Sequence, residues 1–252
     1  MPATPAWPPK SAPRLFVTTP LAAGEGVSIG GAQAHYLSRV MRVSEGDAVI
    51  LCDDLTGEWA ARVVSAGKRD VALVPEELLR PREEVPDFTL CAALLKKDRF
   101  DLVLEKACEL GVRKVQPVIT RRCVADKLNL DRARAVLIEA AEQCARTALP
   151  ELAGPVKLDA LLKDWDNTRA LFFADEAGGE PAAAAFATHS GPAALLTGPE
   201  GGFDDGERSA IRALAQTRAI SLGPRILRGE TAAIAGCALW MASAGDWGGR
   251  WK

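Results

Sequence analysis

Histidine is almost missing from this chain: His35 and His189 are the only two in 252 residues. A zinc site or a histidine-based catalytic triad therefore has little material. The six cysteines, Cys52, Cys91, Cys108, Cys123, Cys144 and Cys237, form no CxxC pair and no regular spacing. They read as small core residues in a reducing compartment, so no metal site is expected. Aromatic residues make up only 6%, too few for a single-strand binder built mainly on base stacking. No apolar run approaches the roughly 20 residues of a membrane span. The opening MPATPAWPPKSAP lacks the basic start and apolar centre of a signal peptide. It reads as a Pro-rich disordered tail over residues 1–13, and a cytoplasmic protein without membrane partner is expected. The net charge of −2 leaves no basic field over the whole protein, so any RNA contact must be a local patch. Neither GxxxxGK[ST] nor a helix-opening GxGxxG occurs, which removes the P-loop and the usual dinucleotide fold.

What is present has two textures. From Arg14 to Pro81, short apolar runs (Arg14–Val17, Ala48–Leu51, Glu58–Val64, Val71–Val74) alternate with Gly/Asp turns, and Ala34–Val40 can form a short helix. That spacing predicts a small β-barrel over 14–81. The stretch PREEVP, Pro81–Pro86, is a charged, proline-bounded linker. From Asp87 onward, strand-like runs (Phe88–Leu95, Val115–Ile119, Ala170–Ala174) alternate with helical apolar spacing at Phe100, Val103, Leu104, Ala107 and Leu110. Alternation of that kind predicts a parallel α/β sheet over 87–252. The fold class expected is therefore a β-barrel followed by an α/β domain.

Two turns stand out. Ala193–Leu196 is a buried-strand run that breaks at Gly198, Pro199, Gly201 and Gly202, and Asp204 with Glu207 three residues on resembles a capping box. Ala219–Leu222 leads into Gly223-Pro224, with Arg225, Arg228 and Glu230 crowded beside it. Glycine-rich turns after parallel strands bring bare backbone N–H and C=O groups against a ligand. Two guanidiniums in one turn suit an anion or a carboxylate.

TGPEGGF (Thr197–Phe203) followed by LGPRILRGETA (Leu222–Ala232) resembles the C-terminal signature of the SPOUT superfamily of methyltransferases. More narrowly, it is similar to the bacterial family of 16S ribosomal RNA uridine-N3 methyltransferases, the RsmE family. RLFV, HYLSRVMRVSEGD, the DxxxGE of Asp53–Glu58, KKDRFDLVLEKACELGV and EAAEQCARTALPEL extend the likeness from about Arg14 to Ser243. One departure is Ala145, where the resemblance leads us to expect glycine beside Arg146.

The resemblance implies a PUA-like barrel, a C-terminal trefoil knot, a homodimer completing its site across the interface, and S-adenosylmethionine as cofactor. By that analogy Thr197, Gly198, Pro199, Glu200, Gly201, Gly202, Leu222, Gly223, Ile226 and Leu227 line the cofactor pocket. Arg228, and after it Arg225, would stabilise the charge that a deprotonated uridine spreads over its carbonyl oxygens. Glu230 would orient an arginine, assist proton removal, or merely begin a helix. RNA grip is expected from Arg14, His35, Arg39 and Arg42 in the barrel, and from Lys96, Lys97, Arg121, Arg122 and Arg146 in the catalytic domain. The partner implied is the small ribosomal subunit. Rival readings are a ribose 2′-hydroxyl of transfer RNA as the target, and a non-catalytic RNA-binding assembly factor.

Overall fold

The computed structural model describes residues 7–67 and 69–248. It divides into two compact units: 1–84 with 141–149, and 85–140 with 150–252. The break at Glu84/Val85 falls inside the expected linker. The segment 141–149 belongs to the first unit, although the sequence predicts one unbroken domain from 87.

In the first unit, β1 (Arg14–Phe16), β2 (Val27–Gly30), β3 (Ala48–Asp53), β4 (Gly57–Ala66) and β5 (Asp70–Pro81) form one sheet in the order β1-β3-β4-β5-β2. β1 runs parallel to β3 and the other pairs are antiparallel. Bulges between Glu58/Trp59, Ala60/Ala61 and Val63/Ser65 increase the twist of β4 against β5. α1 (Gly31–His35) passes into a π turn, Tyr36–Val40, so the helix expected at 34–40 starts earlier and changes its winding. Leu15, Ile29, Leu37, Val49, Leu51 and Leu73 form the core.

Residues 1–6 of the expected tail lie outside the described residues. Residues 7–13 are placed. The Arg62 guanidinium lies 3.9 Å from the centre of the Trp7 ring, and Ile50 N–H donates to the Pro13 carbonyl at 2.8 Å. Cation–π attraction and a strand-type hydrogen bond fix this stretch.

The second unit is a parallel sheet flanked by helices. Its elements are β6 (Phe88–Ala93), α2 (Lys97–Glu109), β7 (Lys114–Ile119), α3 (Leu130–Cys144, whose residues from Ala141 on belong to the first unit), β8 (Glu151–Leu152), β9 (Val156–Lys157), α4 (Leu158–Lys163), β10 (Ala170–Ala174), β11 (Glu180–Pro181), α5 (Ala182–Ala187), β12 (Ala193–Thr197), α6 (Asp205–Ala213), β13 (Thr217–Ser221) and α7 (Gly229–Ser243). The strand order is β11-β13-β10-β12-β6-β7-β8, with β9 also on β7. β6 and β12 are buried along their whole length, as parallel strands covered on both faces are.

Glycine ends α2 as the sequence predicts. Gly111 has φ +90°, and Gly111 and Val112 N–H donate back to Cys108 and Ala107. The last turn of α3 closes in the same way, with Arg146 N–H donating to Ala141, but the left-handed position is held by Ala145 at φ +58°. This is the site where the resemblance expects glycine.

The segment between β13 and α7 lines the same cavity as the turns that follow β10 and β12. The Phe88 and Trp240 rings stack at 4.1 Å between centres, tying α7 to β6. A Cβ on Gly236 would lie 2.4 Å from Leu195 Cδ2, so only a glycine lets α7 approach β12 this closely.

Candidate active site

The C-terminal ends of β10, β12 and β13 and the first turn of α7 enclose a cavity of about 320 Å³. Ligands of open α/β sheets collect at strand C-termini, so its position follows from the topology. Gly198, Pro199, Gly202, Leu222, Gly223, Ile226 and Leu227 line it, which is most of the expected cofactor set. Thr197 is instead buried as the last residue of β12, and Glu200 and Gly201 face outward.

The backbone explains the glycines. Gly202 has φ +66° and a Cβ there would lie 2.8 Å from Glu176 Oε1. Gly223 has φ +122° with open space where a side chain would be. Both turns thus present main chain to the cavity.

The β12 turn is braced from its two flanks. Asp204 accepts from Glu207 N–H at 2.8 Å and Asp204 N–H donates to Glu207 at 3.1 Å, the capping box that the sequence suggests. These contacts, with the Arg121 guanidinium, hold the Asp204 carboxyl below its ordinary pKa. Arg121 pairs with Asp204 at 2.9 Å, and Arg122 donates to the Gly201 carbonyl at 3.0 Å. Two arginines expected to grip RNA therefore hold the glycine turn in place.

A third loop, after β10, was not singled out in the sequence: Ala174–Gly178 lines the same cavity. Asp175 is buried and is held by Arg208, by Arg212 at 2.6 Å and by Ala177 N–H at 2.9 Å. Glu176 pairs with Arg208 at 2.9 Å and remains half exposed. The available signal was positional: DEAGG directly follows the buried strand ALFFA.

Of the catalytic candidates, Arg225 lines the cavity and Arg228 does not. Arg228 is the exposed N-cap residue of α7. Neither makes an ion pair among the described residues. Glu230 is 4% exposed and its carboxylate lies 3.1 Å from Arg99 Nη1. It does orient an arginine, but that arginine is Arg99, which sequence reasoning passed over inside α2.

In the first unit, His35, Arg39 and Arg42 are exposed beside Tyr36, Val40 and Met41. Arg14 and Arg146 meet carboxylates instead. Arg14 is committed to Glu58 at 2.8 Å, and Arg146 is 5% exposed with its Nε 3.8 Å from Glu83. Both guanidiniums are held inside the unit because carboxylates meet them there. Lys96 and Lys97 are exposed at the start of α2.

Burial pushes the thiols of Cys52 and Cys91 up to about 12, Cys52 being raised further by Glu58 and Asp53, and burial raises Cys237 as well. A thiolate nucleophile has no support there. Cys123 is half-buried and Cys144 exposed, so the core reading holds for the other four cysteines. Among the described residues no group of three or more His, Cys, Asp or Glu is placed to hold a metal. No helix among them is long and apolar enough to cross a membrane.

Comparison with known proteins gives this geometry its context. The RNA methyltransferase domain family matches residues 82–241, and the RNA methyltransferase PUA domain family matches 29–76. The chain belongs to the RNA methyltransferase family. It is 30% identical to ribosomal RNA small subunit methyltransferase E of Rickettsia conorii, over 88% of this chain and 91% of that protein. It is 33% identical to the protein of the same name from Synechocystis, over 82% and 69% of the two chains. The crystal structure of the Neisseria gonorrhoeae enzyme of that name, bound to S-adenosyl methionine, superimposes with a TM-score of 0.83 at 27% identity, over 94% of this chain and 99% of that one. The fold is thus the PUA-like sheet followed by the parallel SPOUT-type methyltransferase domain, and the protein is an S-adenosylmethionine-dependent methyltransferase of ribosomal RNA.

Proposed function

We propose that the protein transfers a methyl group from S-adenosylmethionine to N3 of a uridine in 16S ribosomal RNA of the small subunit, acting as a cytoplasmic homodimer. The observation that carries this reading is the cavity at the ends of β10, β12 and β13, walled by main chain and opened by two glycine turns.

The residues suit the cofactor. Bare backbone at Gly198, Gly202, Leu222 and Gly223 would offer hydrogen bonds to an adenosine group, and the Glu176 carboxylate, shared with Arg208, would add negative charge to the wall. When bound, the cofactor supplies an electrophilic methyl on a sulfonium.

The protein's own part is to orient the uridine and favour loss of its N3 proton. The charge left behind spreads over two ring carbonyl oxygens. A guanidinium placed beside them stabilises that charge before the methyl is accepted. Arg225, on the cavity wall, is our first candidate for this, with Arg228, the N-cap residue of α7, as the second. Glu230 contributes by holding Arg99. His35, Arg39, Arg42, Lys96 and Lys97 meet phosphates and position the RNA without reading its bases.

The test is methylation of small subunits from cells lacking the protein, followed by digestion and nucleoside mass spectrometry. N3-methyluridine is the expected product, and a 2′-O-methyl nucleoside would overturn the base assignment. Light scattering at micromolar concentration checks the dimer.

A further inference from the structure

The first unit carries an apolar patch that its core does not use. Three of the large apolar side chains exposed among the described residues fall within six positions: Tyr36, Val40 and Met41. They sit on the π turn that continues α1, where Met41 N–H donates to the Tyr36 carbonyl at 2.9 Å. A bond of that span sets a residue one turn from those four and five positions on, so the three side chains share a face. The inner side of the turn is fixed, because Ala34, Leu37 and Val43 are buried in the core of the unit. Apolar patches rimmed by polar groups mark interaction sites.

The rim points to the partner. His35, Arg39 and Arg42 are exposed on the same stretch and make no ion pair among the described residues. No acidic residue occurs from Gly31 to Val43. Arg42 is held at φ +56°, a left-handed conformation that is costly for a non-glycine residue and recurs at ligand contacts. A phenol ring and a thioether among unpaired cations suit a nucleobase joined to phosphates. Bases of an RNA duplex are already stacked on their neighbours, so a ring of this kind takes an unpaired one.

From this we infer that Tyr36, backed by Met41 one turn on, is a stacking platform for an unpaired base of the RNA substrate other than the methylated uridine. The inference rests on the ribosomal RNA reading given above and adds to it a contact with a base face. Stacking grips that face without reading the base edge, so the platform holds the RNA in place and tolerates any base.

The experiment uses the fact that Tyr36 is the only tyrosine of the chain. Protein grown with fluorotyrosine reports on this one ring, and its fluorine NMR resonance should shift when a single-stranded uridine-rich RNA oligonucleotide is added. An RNA duplex of equal length should leave it in place. Tyr36→Ala and Tyr36→Trp are compared with wild type in oligonucleotide affinity across a salt series and in methyl transfer against small-subunit concentration. Tyr36→Ala should weaken the single strand and raise KM for subunits about tenfold, the loss of one stacked base, with kcat within about twofold. Its salt slope should match wild type, because no phosphate contact is removed. Tyr36→Trp should restore both affinity and KM. An unmoved resonance, or unaltered affinity in Tyr36→Ala, would overturn the inference. So would a change of oligomeric state in Tyr36→Ala by light scattering, which would give the patch to a second copy of the chain. If wild type methylates no RNA, the methyltransferase reading falls by itself, and the resonance and the oligonucleotide affinity still decide on the platform.

Discussion

Glu230, the second residue of α7, and Arg99, in the first turn of α2, form an ion pair with 3.1 Å between Oε1 and Nη1. The carboxylate is 4% exposed while the guanidinium is about half exposed. The pair joins the helix that follows one signature turn to the helix that follows β6. A double-mutant cycle with Glu230→Gln and Arg99→Ala should give a coupling of about 1 kcal/mol, kept small because one partner is well solvated. Urea titration reads it, and a coupling of zero would mean that the pair ties nothing together.

The glycine turn at the end of β12 sets the next expectation. Gly202 has a positive φ, and its missing Cβ leaves room for the Glu176 carboxylate. Gly202→Ala should weaken S-adenosylmethionine binding about tenfold, roughly 1.4 kcal/mol, without unfolding the protein. Calorimetry with the purified protein measures this. Binding as tight as wild type would remove the turn from the cofactor site.

Ala145 occupies a left-handed C-terminal position of α3 at φ +58°. A non-glycine residue there costs about 1–2 kcal/mol, part of which returns through the lower entropy of the unfolded chain. Ala145→Gly should stabilise the protein by about 0.5–1 kcal/mol. A raised thermal midpoint is the readout.

Asp53 governs the response of the first unit to acid. Burial pushes its carboxyl up, but N–H donors from Thr56, Leu21, Gly57 and Leu55 outweigh that and hold it below the ordinary value. Glu58 is also lowered: burial opposes, and Arg14 and Arg80 prevail. A carboxyl whose folded value is depressed contributes its full stability above the unfolded value near 4 and loses it as pH falls through the folded value. The first unit should therefore weaken below about pH 4. Asp53→Ala should cost about 2–3 kcal/mol at neutral pH and flatten the acid dependence. Urea unfolding from pH 3 to 7 checks both.

Much of this arrangement was legible because turns and buried strands write themselves locally. Gly198–Gly202 and Gly223-Pro224 follow apolar runs, so their place at strand ends could be read directly. The capping box of Asp204 and Glu207 was visible for the same reason. The Asp175–Gly178 loop was not, because its role depends on β10 lying between β12 and β13, an order the chain does not spell out. β5 was underestimated because its later half, EELLRP, is charged and is made a strand by pairing with β4. The arginines were the hardest to read. Exposure and partner separate a guanidinium left open to solvent, as for Arg39, from one taken by a carboxylate of its own unit, as for Arg14.

The central claim is that the cavity at β10, β12 and β13 performs methyl transfer with help from Arg225. Its most direct test is transfer of labelled methyl from S-adenosylmethionine to unmethylated small subunits by wild type, Arg225→Ala and Arg228→Ala. Wild type should label the subunits. Arg225→Ala should lose about 10²–10³ in kcat while keeping its fold and cofactor affinity, as removal of a charge-stabilising donor does. Full activity in Arg225→Ala, or no labelling by folded wild type, would contradict the account.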